Sequence, residues 1–212
     1  MEIKFLVIEG NIGAGKTSLC KKLAEDKNGK LILEQFEENP FLSKFYENQQ
    51  RYAFPTELSF LSTRYKQIKE QLQPDLFHDI IIADYFLMKS LIFSSQTLED
   101  DEYQLYRNIF DIIFENIPKP DLYVYLHKTS KNLLENIKKR GRDYEQNISS
   151  EYLENIEKSY FSYFRQQSKL KILIINTDEV DFIVNEEHYE KLKTMIFDND
   201  YNEMINYLRL NK

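Results

Sequence analysis

The run Gly10-Asn11-Ile12-Gly13-Ala14-Gly15-Lys16-Thr17 constrains this chain more than any other segment, because it uses three of the five glycines in 212 residues. It follows a short apolar run at 3–8 and precedes a segment in which Leu19, Leu23 and Ala24 share one helical face. Glycine permits the dihedrals that turn successive backbone N–H groups inward, and a helix N-terminus adds partial positive charge. A strand, a glycine loop and a helix in that order form a cradle for phosphates. The spacing G-x-x-x-x-G-K-[ST] predicts that Gly10 to Thr17, with Ser18 beside them, hold a nucleoside triphosphate. Lys16 would meet the β/γ-phosphates, and the Thr17 hydroxyl would ligate Mg²⁺.

Such a loop needs a sheet behind it. Runs at 3–8, 30–33, 79–83, 122–126 and 171–175 are short, rich in Ile, Leu and Val, and barely alternate, as strands covered on both faces do. Segments of helical period lie between them. Leu58, Leu61, Tyr65, Ile68 and Leu72 predict a helix over 57–72. Leu105, Ile109, Ile112, Ile113 and Phe114 predict one over 101–117, stopped by Pro118 and Pro120. Ser130 is placed to cap a helix that buries Leu133, Leu134 and Ile137 and ends at Gly141. A further helix is expected over 150–168, and one or two over 186–210. Strands alternating with helices imply a parallel sheet with right-handed crossovers. The expectation is one α/β domain spanning 1–212: a three-layer P-loop fold with a five-stranded parallel sheet, helices on both faces, a basic lid and a helical extension from about 186.

Composition removes several partners. A net charge of −7 and a pI near 5.2 lack the basic footprint of a duplex nucleic-acid binder. No apolar run approaches the roughly 20 residues of a spanning helix, and no basic region leads into one, so neither a membrane partner nor a secretory leader is expected. The single cysteine, Cys20, rules out an internal disulfide and suits a cytoplasmic setting. His78, His127 and His188 are scattered without ligand spacing.

In open parallel sheets ligands bind beyond the carboxyl ends of the strands, so the residues after each strand are the candidates. Glu34 follows the second strand, where a carboxylate can accept the proton of a hydroxyl attacking the γ-phosphate; a solvated acid, with Glu37 and Glu38 next to it, is the alternative. Asp84 follows the third, as a Mg²⁺-holding carboxylate or as a helix N-cap. Arg140 and Arg142, after Lys138 and Lys139, form a basic lid able to neutralise a transferred phosphoryl group, or else a favourable helix C-terminus. The polar stretch 176–182 could hold a nucleotide base, and Tyr46 and Phe93 flank the cleft-forming segments.

Ile8-Glu9-Gly10-Asn11-Ile12-Gly13-Ala14-Gly15-Lys16-Thr17 resembles the phosphate loop of the deoxynucleoside kinase family. Further landmarks follow in order: Glu34 near Asn39-Pro40-Phe41, Phe45-Tyr46-Glu47, Asp84, and Lys139-Arg140-Gly141-Arg142 with Glu145. The resemblance runs to about Phe182 and is greatest to bacterial deoxyadenosine/deoxyguanosine kinases. It implies transfer of the ATP γ-phosphoryl to a deoxynucleoside 5′-hydroxyl with Mg²⁺. It assigns Glu34 as general base, Tyr46 and Glu145 to the sugar 3′-hydroxyl, Phe93 to the face of the base, and Asp181-Phe182 to the adenine of ATP. It also implies a homodimer through the helices at 57–72 and 101–117.

Three positions depart from the family pattern. Tyr85 replaces an arginine after Asp84, with Lys89 as a substitute from the next turn. Pro55 stands where a base-reading glutamine is expected, leaving Arg64 as the candidate. Met88 replaces an acid. A purine acceptor is expected, deoxyadenosine first. The alternatives are a nucleoside monophosphate kinase of the thymidylate type, which would need a cation where Glu34 stands, and a nucleotide-binding module without phosphoryl transfer.

Overall fold

The computed structural model describes residues 2–35, 39–73, 76–168, 170–199, 201 and 203–210. In chain order the elements are β1 (Phe5–Gly10), α1 (Lys16–Asp26), β2 (Gly29–Ile32), α2 (Leu42–Glu47), α3 (Gln49–Gln71), β3 (Ile80–Ala83), α4 (Met88–Thr97) and α5 (Asp100–Phe114). They continue with β4 (Leu122–His127), α6 (Ser130–Arg140), a 3₁₀ turn (Asp143–Glu145), α7 (Ser150–Arg165), β5 (Ile172–Asn176), α8 (Glu186–Phe197) and β6 (Ile205–Arg209). Among the described residues no helix is long and apolar enough to cross a membrane.

All strand pairs are parallel, in the order β2-β3-β1-β4-β5-β6. Side chains alternate between the two faces of the sheet. Leu6, Ile8, Val124, Leu173 and Ile175 pack with α1, α6 and α8 through Leu19, Leu23, Leu133, Ile137 and Leu192. Phe5, Val7, Tyr123, Tyr125 and Ile174 pack on the other face with α3, α4, α5 and α7 through Leu61, Ile92, Phe110, Ile156 and Phe164. Full burial of each aliphatic or Phe side chain is worth about 1.5–3 kcal/mol, so both helical layers are held by their apolar faces. Strand order reverses at β1, which opens the crevice at its carboxyl end.

The three-layer parallel fold is as expected; among the described residues the sheet has six strands and not five. The segment expected to be helical over 186–210 is α8 followed by β6, which pairs in parallel with β5 from Ile172↔Ile205 to Asn176↔Arg209. β6 forms the sheet's edge and is only half covered, so its composition lacks the apolar run that marks the inner strands. α3 begins well before residue 57, capped by the Asn48 side chain, which accepts from the Arg51 N–H at 3.1 Å, and it contains Pro55. α5 ends at Phe114, short of Ile117. The capping position of α6 is Thr129 and not Ser130, whose hydroxyl instead donates to Glu154 Oε1 at 3.0 Å.

Candidate active site

The glycine loop runs from the end of β1 into α1. Gly13 has φ +84°, and a Cβ there would meet the Leu133 carbonyl oxygen at 2.8 Å. Gly15 has φ +92°, and its Cβ would meet the Phe182 ring at 2.9 Å. Only glycine fits both the backbone and the space. Lys16 Nζ donates to the carbonyls of Gly10 and Asn11 at 2.9 Å each. Burial and the nearby Lys89 lower its pKa to about 8, against the pull of Glu9, Asp84 and Glu34. Glu9, at the end of β1, accepts from Phe86 N–H and the Tyr160 hydroxyl at 3.0 Å each, tying the loop's base to the helical layer.

Thr17 Oγ1 donates to Asp84 Oδ2 at 2.5 Å, and Asp84 Oδ1 accepts the Glu34 N–H at 2.8 Å. Asp84 is buried, and α4 begins at Met88 with Leu87 as its capping residue, so Asp84 does not cap that helix. A hydroxyl and a carboxylate facing each other beside a phosphate loop are the hard oxygen donors that Mg²⁺ takes alongside substrate phosphates. The residues fit the ion.

Glu34 is not a solvated acid. Its side chain is 12% exposed and held by two cations. Arg64 donates through Nε at 2.9 Å and Nη2 at 2.6 Å to Oε1, and Lys89 Nζ lies 2.5 Å from Oε2. Burial alone would raise the Glu34 carboxyl, but Lys89 and Arg64 hold it at about 2. Lys89 thus brings a cation to Glu34 from α4. Tyr85 itself is fully buried, with its hydroxyl on Gln67 Oε1 at 2.6 Å, and Met88 is core. Arg64 also donates through Nη1 to Ser90 Oγ at 2.8 Å, and its guanidinium lies over the Phe60 ring at 4.8 Å. It is held on Glu34 and lines the cavity beside it. Glu37 and Glu38 lie outside the described residues.

Two spaces meet at this cluster. A cavity of about 260 Å³ is walled by Glu34, Tyr46, Glu57, Arg64, Phe93 and Glu145, with Asp84 and Lys89 among the other residues around it. The adjoining groove runs along Gly13 to Ser18 and reaches Asp181, Phe182, Ile183 and Val184. Lys16, Thr17, Arg140 and Arg142 border both. Glu145 is buried, with Arg140 bonded to Oε2 and Arg142 Nη1 3.3 Å from Oε1. Burial first, and then the Glu145 carboxylate, raise the Tyr46 phenol above its usual range. Arg140 and Arg142 therefore bracket an acid that lines the cavity, beyond what capping of α6 would need.

Beyond β5, Phe182 is buried beneath Gly15, while Asp181 accepts from the Ile183 and Val184 N–H groups at 3.0 and 3.2 Å. That turn leaves Ile183 and Val184 exposed along the groove, two apolar residues the sequence did not single out. Pro55 does not line the cavity, whereas Thr56 and Glu57 do. Glu57 stands one turn before Leu61 on the buried face of α3, and an acid at that helical spacing from an apolar residue was its signal.

Parallel sheet, glycine loop and cation-bordered groove define a P-loop nucleotide-binding α/β protein. A family profile described as deoxynucleoside kinase matches residues 6–200, and the chain belongs to that family. It is a phosphotransferase. It is 35% identical to a deoxyguanosine kinase of Bacillus subtilis (strain 168) over 193 residues, covering 89% of this chain and 93% of the relative. It is 31% identical to a deoxyadenosine kinase of Lactobacillus acidophilus over 194 residues, covering 86% and 90%. A solved structure of deoxyadenosine kinase from M. mycoides with bound dCTP superposes with TM-score 0.75 at 26% identity, covering 90% of this chain and 99% of that one.

Proposed function

We propose that this chain transfers the γ-phosphoryl group of ATP to the 5′-hydroxyl of a purine deoxynucleoside. The observation that carries this reading is Glu34: a carboxylate only 12% exposed lines the cavity together with Lys16, Thr17 and Asp84, its own N–H bonded to Asp84. A monophosphate acceptor would bring its own negative charge to that point, which favours a hydroxyl acceptor.

In this reading the nucleoside occupies the cavity, with its sugar at Tyr46 and Glu145 and its base against Phe93. The triphosphate lies on Gly10 to Ser18, and its base sits beside Asp181 and Phe182. Glu34 is too weak a base, at about 2, to remove the proton early. It accepts the hydrogen bond of the 5′-hydroxyl, orients it, and takes the proton as the bond to phosphorus forms, as a loose transition state allows. Lys16, Arg140 and Arg142 meet the charge that spreads over the transferred group. Thr17 and Asp84 would hold Mg²⁺, which neutralises phosphate charge when bound.

Purine selection is supported by the deoxyguanosine and deoxyadenosine kinases among the relatives. A homodimer through α3 and α5, and a cytoplasmic location suited to the lone Cys20, belong to the same proposal. The test is a kcat/KM panel of the four deoxynucleosides and their monophosphates with Mg-ATP. Purine deoxynucleosides are expected to lead. A thymidine preference would overturn the purine reading, and a monophosphate preference the whole proposal.

A further inference from the structure

One carboxyl in the acceptor cavity serves neither Glu34 nor the phosphates. Glu57, on α3, is 4% exposed. Its Oε1 accepts from the Thr97 hydroxyl at 3.0 Å, and its Oε2 is buried with no hydrogen-bond partner among the described residues. The hydroxyl of the adjacent Thr56 is likewise buried and unpartnered, and both residues belong to the cavity wall. A buried polar atom without a partner is destabilising, so two neighbours of this kind in a ligand cavity point to ligand atoms that complete them.

We propose that Glu57 reads the hydrogen-bonding edge of the acceptor base and, as a carboxylate, selects guanine over adenine. The proposal rests on the nucleoside kinase reading above and names the residue that sets its specificity. An ionised carboxylate only accepts hydrogen bonds. Guanine presents two adjacent donors, N1–H and the N2 amino group, which two carboxylate oxygens can take together. Adenine presents an acceptor, N1, beside its N6 amino donor, so a carboxylate meets a lone pair with a lone pair. A protonated carboxyl, like a glutamine amide, offers one donor and one acceptor and suits adenine.

The protonation state is set within the cavity. Arg64 lies on the same helix, Glu34 after β2, Lys89 and Thr97 on α4, Tyr46 on α2, Tyr106 on α5 and Tyr152 on α7. Arg64 and Lys89 are bonded to Glu34, and among the described residues no ion pair joins either of them to Glu57. Burial pushes the Glu57 carboxyl up to about 7, against Arg64 and the Thr97 hydrogen bond, while Glu34 raises it further. Rising pH therefore ionises Glu57 within the working range.

The experiment measures kcat/KM for deoxyguanosine and deoxyadenosine from pH 5.5 to 8.5 in the wild type and Glu57→Gln. Calorimetric binding of both nucleosides to the wild type over the same range removes dependence on the variant's folding. The deoxyguanosine to deoxyadenosine ratio is expected to rise about fivefold or more across neutral pH, the lower end for a bidentate base contact. Glu57→Gln should flatten that profile and favour deoxyadenosine. A flat ratio in the wild type, or a variant that loses both substrates equally, would overturn the proposal. Binding and phosphorylation of nucleosides without this pH signature would leave the kinase reading standing, whereas no transfer to any nucleoside would overturn that reading instead.

Discussion

Glu34 takes its character from two residues that are distant in sequence. Arg64 and Lys89 bring two positive charges to one carboxylate that is mostly out of water. An ion pair of this burial adds little net stability, because desolvation offsets much of the attraction, but it fixes geometry when each charge is fully hydrogen-bonded. The arrangement keeps Glu34 anionic and aimed. Glu34→Gln keeps the shape and one acceptor while removing the charge, and it should lower kcat by about 10²–10⁴-fold with ATP binding retained. Steady-state kinetics beside ATP titration of the folded variant would check this, and near-normal turnover would remove Glu34 from the reaction. Glu34 and Asp84 were legible in the sequence because each ends a strand. Their partners were not, since pairing across α3, α4 and the strand ends depends on how helices settle on the sheet.

α6 and the turn after it show how one element serves two needs. Gly141 closes the helix at φ +74°, and the chain then doubles back through the 3₁₀ turn to bring Glu145 beneath Arg140 and Arg142. Both arginines border the phosphate groove and the cavity, so each can shift from Glu145 towards a phosphoryl group as charge develops. Arg140→Ala and Arg142→Ala should each reduce kcat more than they raise the nucleoside KM. A change in thermal stability alone, with kinetics intact, would assign them to the helix end. The basic cluster was visible in the sequence as Lys138, Lys139, Arg140 and Arg142 around a glycine stop. β6 was not, because an edge strand needs only one apolar side and short alternating runs resemble the last turn of a helix. The early start of α3 was hidden for a similar reason: Pro55 reads as a helix boundary, yet Asn48 caps the chain two turns earlier.

The outer face of α5 leaves Leu105 and Ile112 exposed at 53% and 73%, with Ile109 half-buried between them. Residues at this spacing lie along one side of the helix, and such a stripe is covered in a homodimer of the proposed kind. Leu105→Lys together with Ile112→Lys should yield a monomer by light scattering, while the isolated subunit keeps its sheet; a dimer of unchanged affinity would move the interface elsewhere. Local order along the chain was enough to specify the parallel sheet, its two helical layers and the phosphate loop. Hydrophobic period and the glycine loop act over a few residues and are written contiguously. The pairing of Glu34 with Arg64 and Lys89, the burial of Glu57 in the cavity wall and the seating of β6 beside β5 were decided by packing. Each depends on which long-range neighbours displace water from a side chain, and burial, unlike periodicity, is a property of the assembled molecule.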